Sequence, residues 1–305
     1  MYKPRIKPLE LMQFEALHGR KECTKQEKRR YHNQQKGYEG ELQFDQWLKG
    51  LTCDCLVLSD LLFNVNHSLV QVDSLIIMPD CVHLYEVKNY EGEYFFDHDR
   101  FFQRMRYEPH QEKSNPLTQL ERTESHLRQL SQQLGFSLPL HSRVVFVNPE
   151  FTLFQAPLNK PILLPSQLQR YFHHMNRMNA QLTAKHYTLA KKLSSLHMEK
   201  NPFQSRPDVH YDHLRKGIRC QKCRYLHSIQ VNRKYCLCKK CGWEELVEHA
   251  ILRNIREFQL LFPHDPLTTN TIHHWCHIVE SKRTIRNVLN KHFEKVGVRQ
   301  WTYYQ

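Results

Sequence analysis

Two apolar, β-branched runs interrupted by charge constrain this chain more than anything else in it: LVQVDSLIIM from Leu69 to Met78 and VHLYEVKN from Val82 to Asn89. Pro79, Asp80 and Cys81 separate them, a short polar break that predicts a hairpin. Asp73, Glu86 and Lys88 stand inside these strands as D-x(12)-E-x-K. Strand side chains alternate faces, so Glu86 and Lys88 share one that Asp73 reaches from the partner strand. A charge in mid-strand is costly unless it is paired, exposed or metal-bound. Two carboxylates beside a lysine suit a hard divalent cation and a water polarised near a phosphate. An E-x-K is also common on solvated sheet faces, but Asp73 lies within the continuous apolar run Val72 to Met78, which solvation explains less well.

Upstream, Gly37-Tyr38-Glu39-Gly40-Glu41 precedes LQFDQWLKGL, in which Phe44, Trp47, Leu48 and Leu51 repeat at helical spacing. Glu41 stands one turn before Phe44, in line with that apolar stripe, so a helix would deliver a third carboxylate to the sheet. The alternative is that Glu39 and Glu41 simply favour the positive end of a helix N-terminus.

Taken in order, GYEGE, QVDSLII and YEVKNYEGE resemble the nuclease-related domain, NERD, a branch of the PD-(D/E)xK nuclease superfamily. The resemblance covers roughly residues 36 to 150 and continues through Asn115-Pro116-Leu117-Thr118-Gln119 and the strand RVVFVN from Arg143 to Asn148. It implies an α/β fold with an α-β-β-β-α-β core and metal-dependent cleavage of nucleic-acid phosphodiesters. By position, Glu41, Asp73, Glu86 and Lys88 match the active-site pattern and Gln119 the accessory polar residue. Glu41, Asp73 and Glu86 are then the ligands for Mg²⁺ or Mn²⁺. Ser74 departs from the family, which often has His after the Asp, without removing a ligand.

At 305 residues the chain has room for two or three cores. Lys plus Arg outnumber Asp plus Glu by 44 to 31, which points to a polyanionic partner. From Lys200 onward there are 19 basic and 9 acidic residues, so the last third carries +10 of the +13. No stretch approaches the ~20 apolar residues of a membrane span, and the first residues lack the apolar core of a secretory signal, so a cytoplasmic location and no membrane partner are expected.

Ten cysteines are present, and Cys220-Gln221-Lys222-Cys223 with Cys238-Lys239-Lys240-Cys241 form two C-x-x-C knuckles 14 residues apart. Each short turn aims two thiolates at one ion, so Cys220, Cys223, Cys238 and Cys241 are expected to hold a structural Zn²⁺ in a ribbon-like module. Cys236 could replace Cys238, though the paired reading is simpler. Cys23, Cys53, Cys55, Cys81 and Cys276 read as ordinary small residues in a reducing compartment. Lys222, Arg224, Arg233, Lys234, Lys239 and Lys240 give the module a basic surface suited to phosphates, or simply a solvated face.

The remaining segments place the boundaries. Residues 1–35 form a basic lead-in, with KQEKRRYHNQQK as a solvated helix or extended arm, and 36–150 the NERD-like domain. Between Asp97 and Lys113 the pattern weakens, with Arg and aromatics interleaved. Residues 151–205 read as a helical segment and linker, 206–246 as the zinc ribbon and 247–305 as a helix-turn-helix-like region. There Leu246 to Phe262 is helical, and LTTNTIHHWCHI and ESKRTIRNVLNKHF form a helical pair with Ser281 as cap. Lys282, Arg283, Arg286 and Asn287 would face nucleic acid from the second helix, and the last residues would add a short wing. Such pairs also pack against cores or bind proteins, so a protein partner remains open. Together these readings predict a metal-dependent nuclease acting on nucleic acid, DNA foremost. A non-catalytic DNA-binding protein or regulator using the same fold is the alternative, and an RNA nuclease a third.

Overall fold

The structure is a computed structural model and describes residues 1–199, 201–202, 209–232, 234–298 and 301–305. In chain order its elements begin with α1 (Leu9–Leu17), α2 (Lys25–Lys49), β1 (Leu56–Val65), β2 (Ser68–Ile77), β3 (Val82–Lys88), β4 (Gly92–Asp97), β5 (Arg100–Gln103) and β6 (Gln111–Lys113). There follow α3 (Pro116–Gln133), β7 (Leu140–Phe146), β8 (Phe151–Phe154), β9 (Ile162–Leu163), α4 (Leu168–Met175) and α5 (Ala184–Leu196). The last are β10 (Ile229–Asn232), β11 (Tyr235–Cys238), β12 (Glu244–Leu246), α6 (Val247–Leu261), α7 (Thr269–Cys276), α8 (Lys282–His292), β13 (Lys295–Val296) and β14 (Tyr303–Tyr304). They form two compact units: residues 1–7 with 32–204, and residues 8–31 with 205–305.

The first unit is built on a five-stranded sheet in the order β1-β2-β3-β7-β9. β1, β2 and β3 form an antiparallel meander, and β7 runs parallel to β3 after α3 crosses over. With α2 in front, this is the expected α-β-β-β-α-β core. The apolar runs are continuous because both faces are covered. Leu75, Leu84, Val144 and Phe146 pack with Leu117, Leu120 and Leu127 of α3, while Ile76, Tyr85, Val87 and Val145 pack with Phe44 and Leu48 of α2 and Phe172 of α4. Asn115 starts α3 as expected, its Oδ1 accepting from Leu117 N–H at 2.9 Å with Pro116 at the first helical position.

Several details differ from the sequence reading. The helix expected from Glu41 begins at Lys25, so Glu41 lies in its interior and a helix N-terminus does not account for it. Residues 1–35 are not a uniform charged arm. The exposed stretch from Lys25 is helical, but Tyr2 and Lys3 donate to Val57 O and Ser59 donates back to Lys3 O, so the start of the chain pairs with the edge of β1. The weakly patterned 97–113 stretch forms β5 and β6 of a second sheet, β6-β5-β4-β8, with Arg100 paired to Glu112 and Arg104 to Glu93. After Asn148 come two short strands, β8 and β9, before α4 and α5. Their partners β4 and β7 are distant in sequence, which local periodicity does not register. The linker boundary expected near residue 205 lies outside the described residues.

The second unit packs α1 with α6, α7 and α8 around Leu17, Ile251, Ile255, Phe258, Ile272, Trp275, Ile285 and Leu289. Glu257, buried on α6, binds both Arg20 (2.9 Å) and Arg219. The Arg20 guanidinium also lies 4.0 Å from the centroid of the Trp275 ring. A three-stranded sheet, β10-β11-β12, carries the second cysteine knuckle where β11 turns into β12, the first knuckle precedes β10, and a two-stranded sheet pairs β13 with β14.

Candidate metal centre of the first unit and cysteine cluster of the second

Where β2 and β3 stop pairing, the side chain of Asp73 takes over. Their ladder ends at Ser74 opposite Tyr85. The next donor on β3, Val87 N–H, is received by Asp73 Oδ2 at 2.8 Å. A local turnover of the strands prepares this. On β1, Leu56 and Leu58 share a cluster with Leu61 and Phe63, so the face changes parity between them, and Asp60 at that point has φ +53°. β2 changes parity opposite, between Val72 and Leu75, and the residue at the change is Asp73.

Glu86 and Lys88 follow on β3, on the same face, as period-two alternation predicts. Lys88 Nζ donates to Glu86 Oε1 at 2.7 Å and to Gln119 Oε1 at 2.9 Å, so α3 delivers Gln119 to the same point. Glu41 arrives from α2, which comes close because Gly40 lacks a side chain: a Cβ there would lie 2.4 Å from Asn89 Cβ. The structure therefore gathers Glu41, Asp73, Glu86, Lys88 and Gln119 into one neighbourhood.

Arg5, Asp45 and Ser74 belong to it as well. Arg5, its side chain 2% exposed, donates to Glu41 Oε2 at 2.6 Å, to Asp45 at 3.0 and 3.3 Å, to Asp73 O at 2.8 Å and to Ser74 Oγ at 3.2 Å. Asp45 is one helical turn after Glu41 and buried, a position that the 3.6-residue period could have flagged. Nothing in the first residues marks Arg5. Ser74 finds its role here too, as an acceptor for that guanidinium.

The site crowds buried carboxyl groups that oppose one another's ionisation. Burial, and then the charge of Asp73, push the Glu41 carboxyl up to about 8, with Arg5 pulling the other way. Burial and Asp73 push Glu86 up to about 8 against the pull of Lys88. Asp73 is itself raised, chiefly by burial, against Lys88 and the Val87 N–H. Burial alone would lower Lys88, but Glu86 outweighs it and its pKa is raised, so Lys88 is a fixed cation rather than a base. Crowded carboxylates that resist joint ionisation are the donor set a divalent cation satisfies. The three are not all within 4.8 Å of one another; among the described residues only four cysteines converge that closely.

Residues 36–147 match the family model described as the nuclease-related domain. The chain carries a NERD domain. Its core is the PD-(D/E)xK-like arrangement of α2, β1, β2, β3, α3 and β7, and the match contains all five expected site residues. Arg5 stands outside it. No curated protein and no solved structure matches the chain.

The four converging thiols are those of Cys220, Cys223, Cys238 and Cys241, all within 4.8 Å of one another. Cys220 and Cys241 Sγ lie 3.6 Å apart, and Cys223 and Cys238 3.7 Å. Four sulfurs about 2.3 Å from a central Zn²⁺ would be about 3.8 Å apart, so the cluster is shaped for that ion and compatible with a zinc ribbon. Although burial opposes it, Cys238 is lowered to about 6 by the Ser228 hydroxyl at 3.1 Å and the N–H groups of Cys241 and Lys240. Cys236, the alternative ligand, points into the core of the second unit and is fully buried.

Beyond the cysteine cluster, α7 and α8 are joined by residues 277–281, and Lys282, Arg283, Arg286 and Asn287 are exposed on α8, as are Lys239 and Lys240 on the second knuckle. Ser281 occupies the N-cap position, but its side chain makes no capping bond, contrary to expectation. Thr268 caps α7 instead, accepting from Thr271 N–H at 3.1 Å. Near the end of the chain Lys295 and Val296 of β13 pair with Tyr304 and Tyr303 of β14, while Arg233 of the basic surface and Arg299 and Gln300, within the stretch expected as a wing, lie outside the described residues. No helix among the described residues is long and apolar enough to cross a membrane.

Proposed function

We propose that the first unit is a metal-dependent nuclease that hydrolyses phosphodiester bonds of DNA. The observation that carries this is the meeting of Asp73, Glu86, Lys88 and Glu41 where β2 and β3 part, inside a NERD domain. Asp73 and Glu86 would hold Mg²⁺ or Mn²⁺, with Glu41 completing the shell. When bound, the cation supplies Lewis-acid polarisation and an activated water. Lys88, kept protonated, would orient the attacking water and stabilise negative charge developing on the phosphate. Gln119 fixes the Lys88 ammonium in place, and Arg5 fixes the helix that carries Glu41. Zn²⁺ on the four cysteines would be structural, since sulfur fills every position. The ribbon, through Lys239 and Lys240, and α8, through Lys282, Arg283, Arg286 and Asn287, would supply affinity for the phosphate backbone. A reducing cytoplasm keeps such thiols available to zinc.

One observation favours a second reading, a non-catalytic DNA-binding scaffold: Lys88 and Arg5 already engage Glu86 and Glu41. Cleavage of labelled single-stranded, duplex and branched DNA with Mg²⁺ or Mn²⁺ separates the two. Products lost in Asp73→Ala and Lys88→Ala, with DNA affinity retained, support the nuclease. Binding without cleavage on every substrate supports the scaffold.

A further inference from the structure

The two cysteine knuckles repeat one another, and each ends in an exposed aromatic ring. In the first, Cys220 N–H donates to Tyr225 O at 3.0 Å and Arg224 N–H to Cys220 O at 3.1 Å. In the second, Cys238 N–H donates to Trp243 O at 2.9 Å and Gly242 N–H to Cys238 O at 2.9 Å. Both times the ring stands five residues after the first cysteine, with Tyr225 53% and Trp243 38% exposed. The turns themselves call for small or polar residues, so their geometry does not ask for these rings.

The charge around them has one sign. Between Cys220 and Trp243 the sequence holds six basic residues and no Asp or Glu. Lys222, Arg224, Lys239 and Lys240 are exposed, and Lys240 Nζ of the second knuckle lies 4.1 Å from the centroid of the Tyr225 ring on the first. Four thiolates on one Zn²⁺ carry two negative charges and leave the module positive.

We infer that the paired knuckles are a docking surface for single-stranded DNA. Unpaired bases stack on Tyr225 and Trp243, and the backbone phosphates lie along Lys222, Arg224, Lys239 and Lys240. Cations alone would serve a duplex, whose bases are already stacked and offer no free face. Rings beside cations serve a single strand. A protein partner fits less well, because the cores of such interfaces are depleted of lysine. This rests on DNA being the substrate and specifies its form.

The test is anisotropy of the full, zinc-loaded chain without Mg²⁺, on labelled oligothymidylate of about 20 nucleotides and on a duplex of equal length. The Tyr225→Ala/Trp243→Ala variant is expected to bind the single strand about tenfold more weakly or worse, and the duplex within about threefold of wild type. Tyr225→Phe/Trp243→Phe should restore the single-strand affinity, since stacking needs the ring and not its polar atom. If the alanine pair loses zinc, Tyr225→Leu/Trp243→Leu, which keeps apolar bulk without a π face, takes its place. Unchanged single-strand binding, or equal loss on both DNAs with zinc retained, overturns the inference and leaves the DNA reading intact. Failure of the wild type to bind either DNA overturns both. Cleavage is assayed separately and decides neither.

Discussion

Arg5 Nη1 donates to Glu41 Oε2 at 2.6 Å, joining the start of the chain to the interior of α2 across 36 positions. The same guanidinium reaches Asp45, Ser74 and the backbone of Asp73, so one buried cation ties α2 to β2. Arg5→Ala would leave the carboxylates of Glu41 and Asp45 buried without their partner, at a cost of about 3–5 kcal/mol. Arg5→Lys should recover only part, because a lysine lacks the planar fork. Urea denaturation of the full chain measures both; a loss below about 1 kcal/mol for alanine would show that the guanidinium does not hold these elements together.

The cysteine cluster makes a sharp distinction between neighbours. Cys238→Ser should abolish zinc binding, because it removes one of four converging sulfurs. Cys236→Ser should keep one zinc per chain while losing about 1–3 kcal/mol, as it places a hydroxyl in an apolar core. Metal analysis of both proteins decides; zinc lost from the Cys236 variant with its fold intact would reassign the ligand.

Acid should weaken the second unit through Glu257. Burial alone would raise its pKa, but Arg219 and Arg20 outweigh this and the folded value is lowered. Its contribution is therefore complete above the unfolded value of about 4.5 and fades as pH falls through the lower folded one. Glu257→Gln should be less stable near neutrality and flatter below about pH 4.5. Melting curves across pH test this, and parallel acid profiles for the two proteins would contradict it.

Gly40 sits within a helix, where glycine costs about 1 kcal/mol relative to alanine. The gain from Gly40→Ala should nevertheless be outweighed, because the new Cβ would lie 2.4 Å from Asn89 Cβ, and such overpacking costs about 1–3 kcal/mol. A net stabilisation on thermal unfolding would show that α2 can retreat from β3 freely.

What could be read from the sequence follows the range of each interaction. Glu86 and Lys88 were legible because two residues along a strand return to the same face, and the cysteines because a knuckle is written in four consecutive positions. Asp73 stood out as a charge in an apolar run, but its bond to Val87 depends on the turnover at Asp60, which no pattern announced. The apolar stripe from Phe44 gives Glu41 its helix face, but the helix starts 16 residues earlier, at Lys25, in exposed turns that carry no such stripe. Arg5 was invisible: it meets Asp73 across 68 positions, and an arginine between two prolines reads as a solvated tail.

The division of the chain also sets a timetable for its synthesis. Residues 8–31 belong to the unit otherwise made of residues 205–305, so α1 leaves the ribosome long before its partners. At about 5–20 residues per second, Leu17 waits about 10–50 s for Ile251 and Phe258 to emerge. During that interval the nascent protein can complete its first unit while the apolar side chains of Leu9–Leu17 are unsheltered. The order of translation thus fixes how long these side chains go without the partners they have in the finished protein.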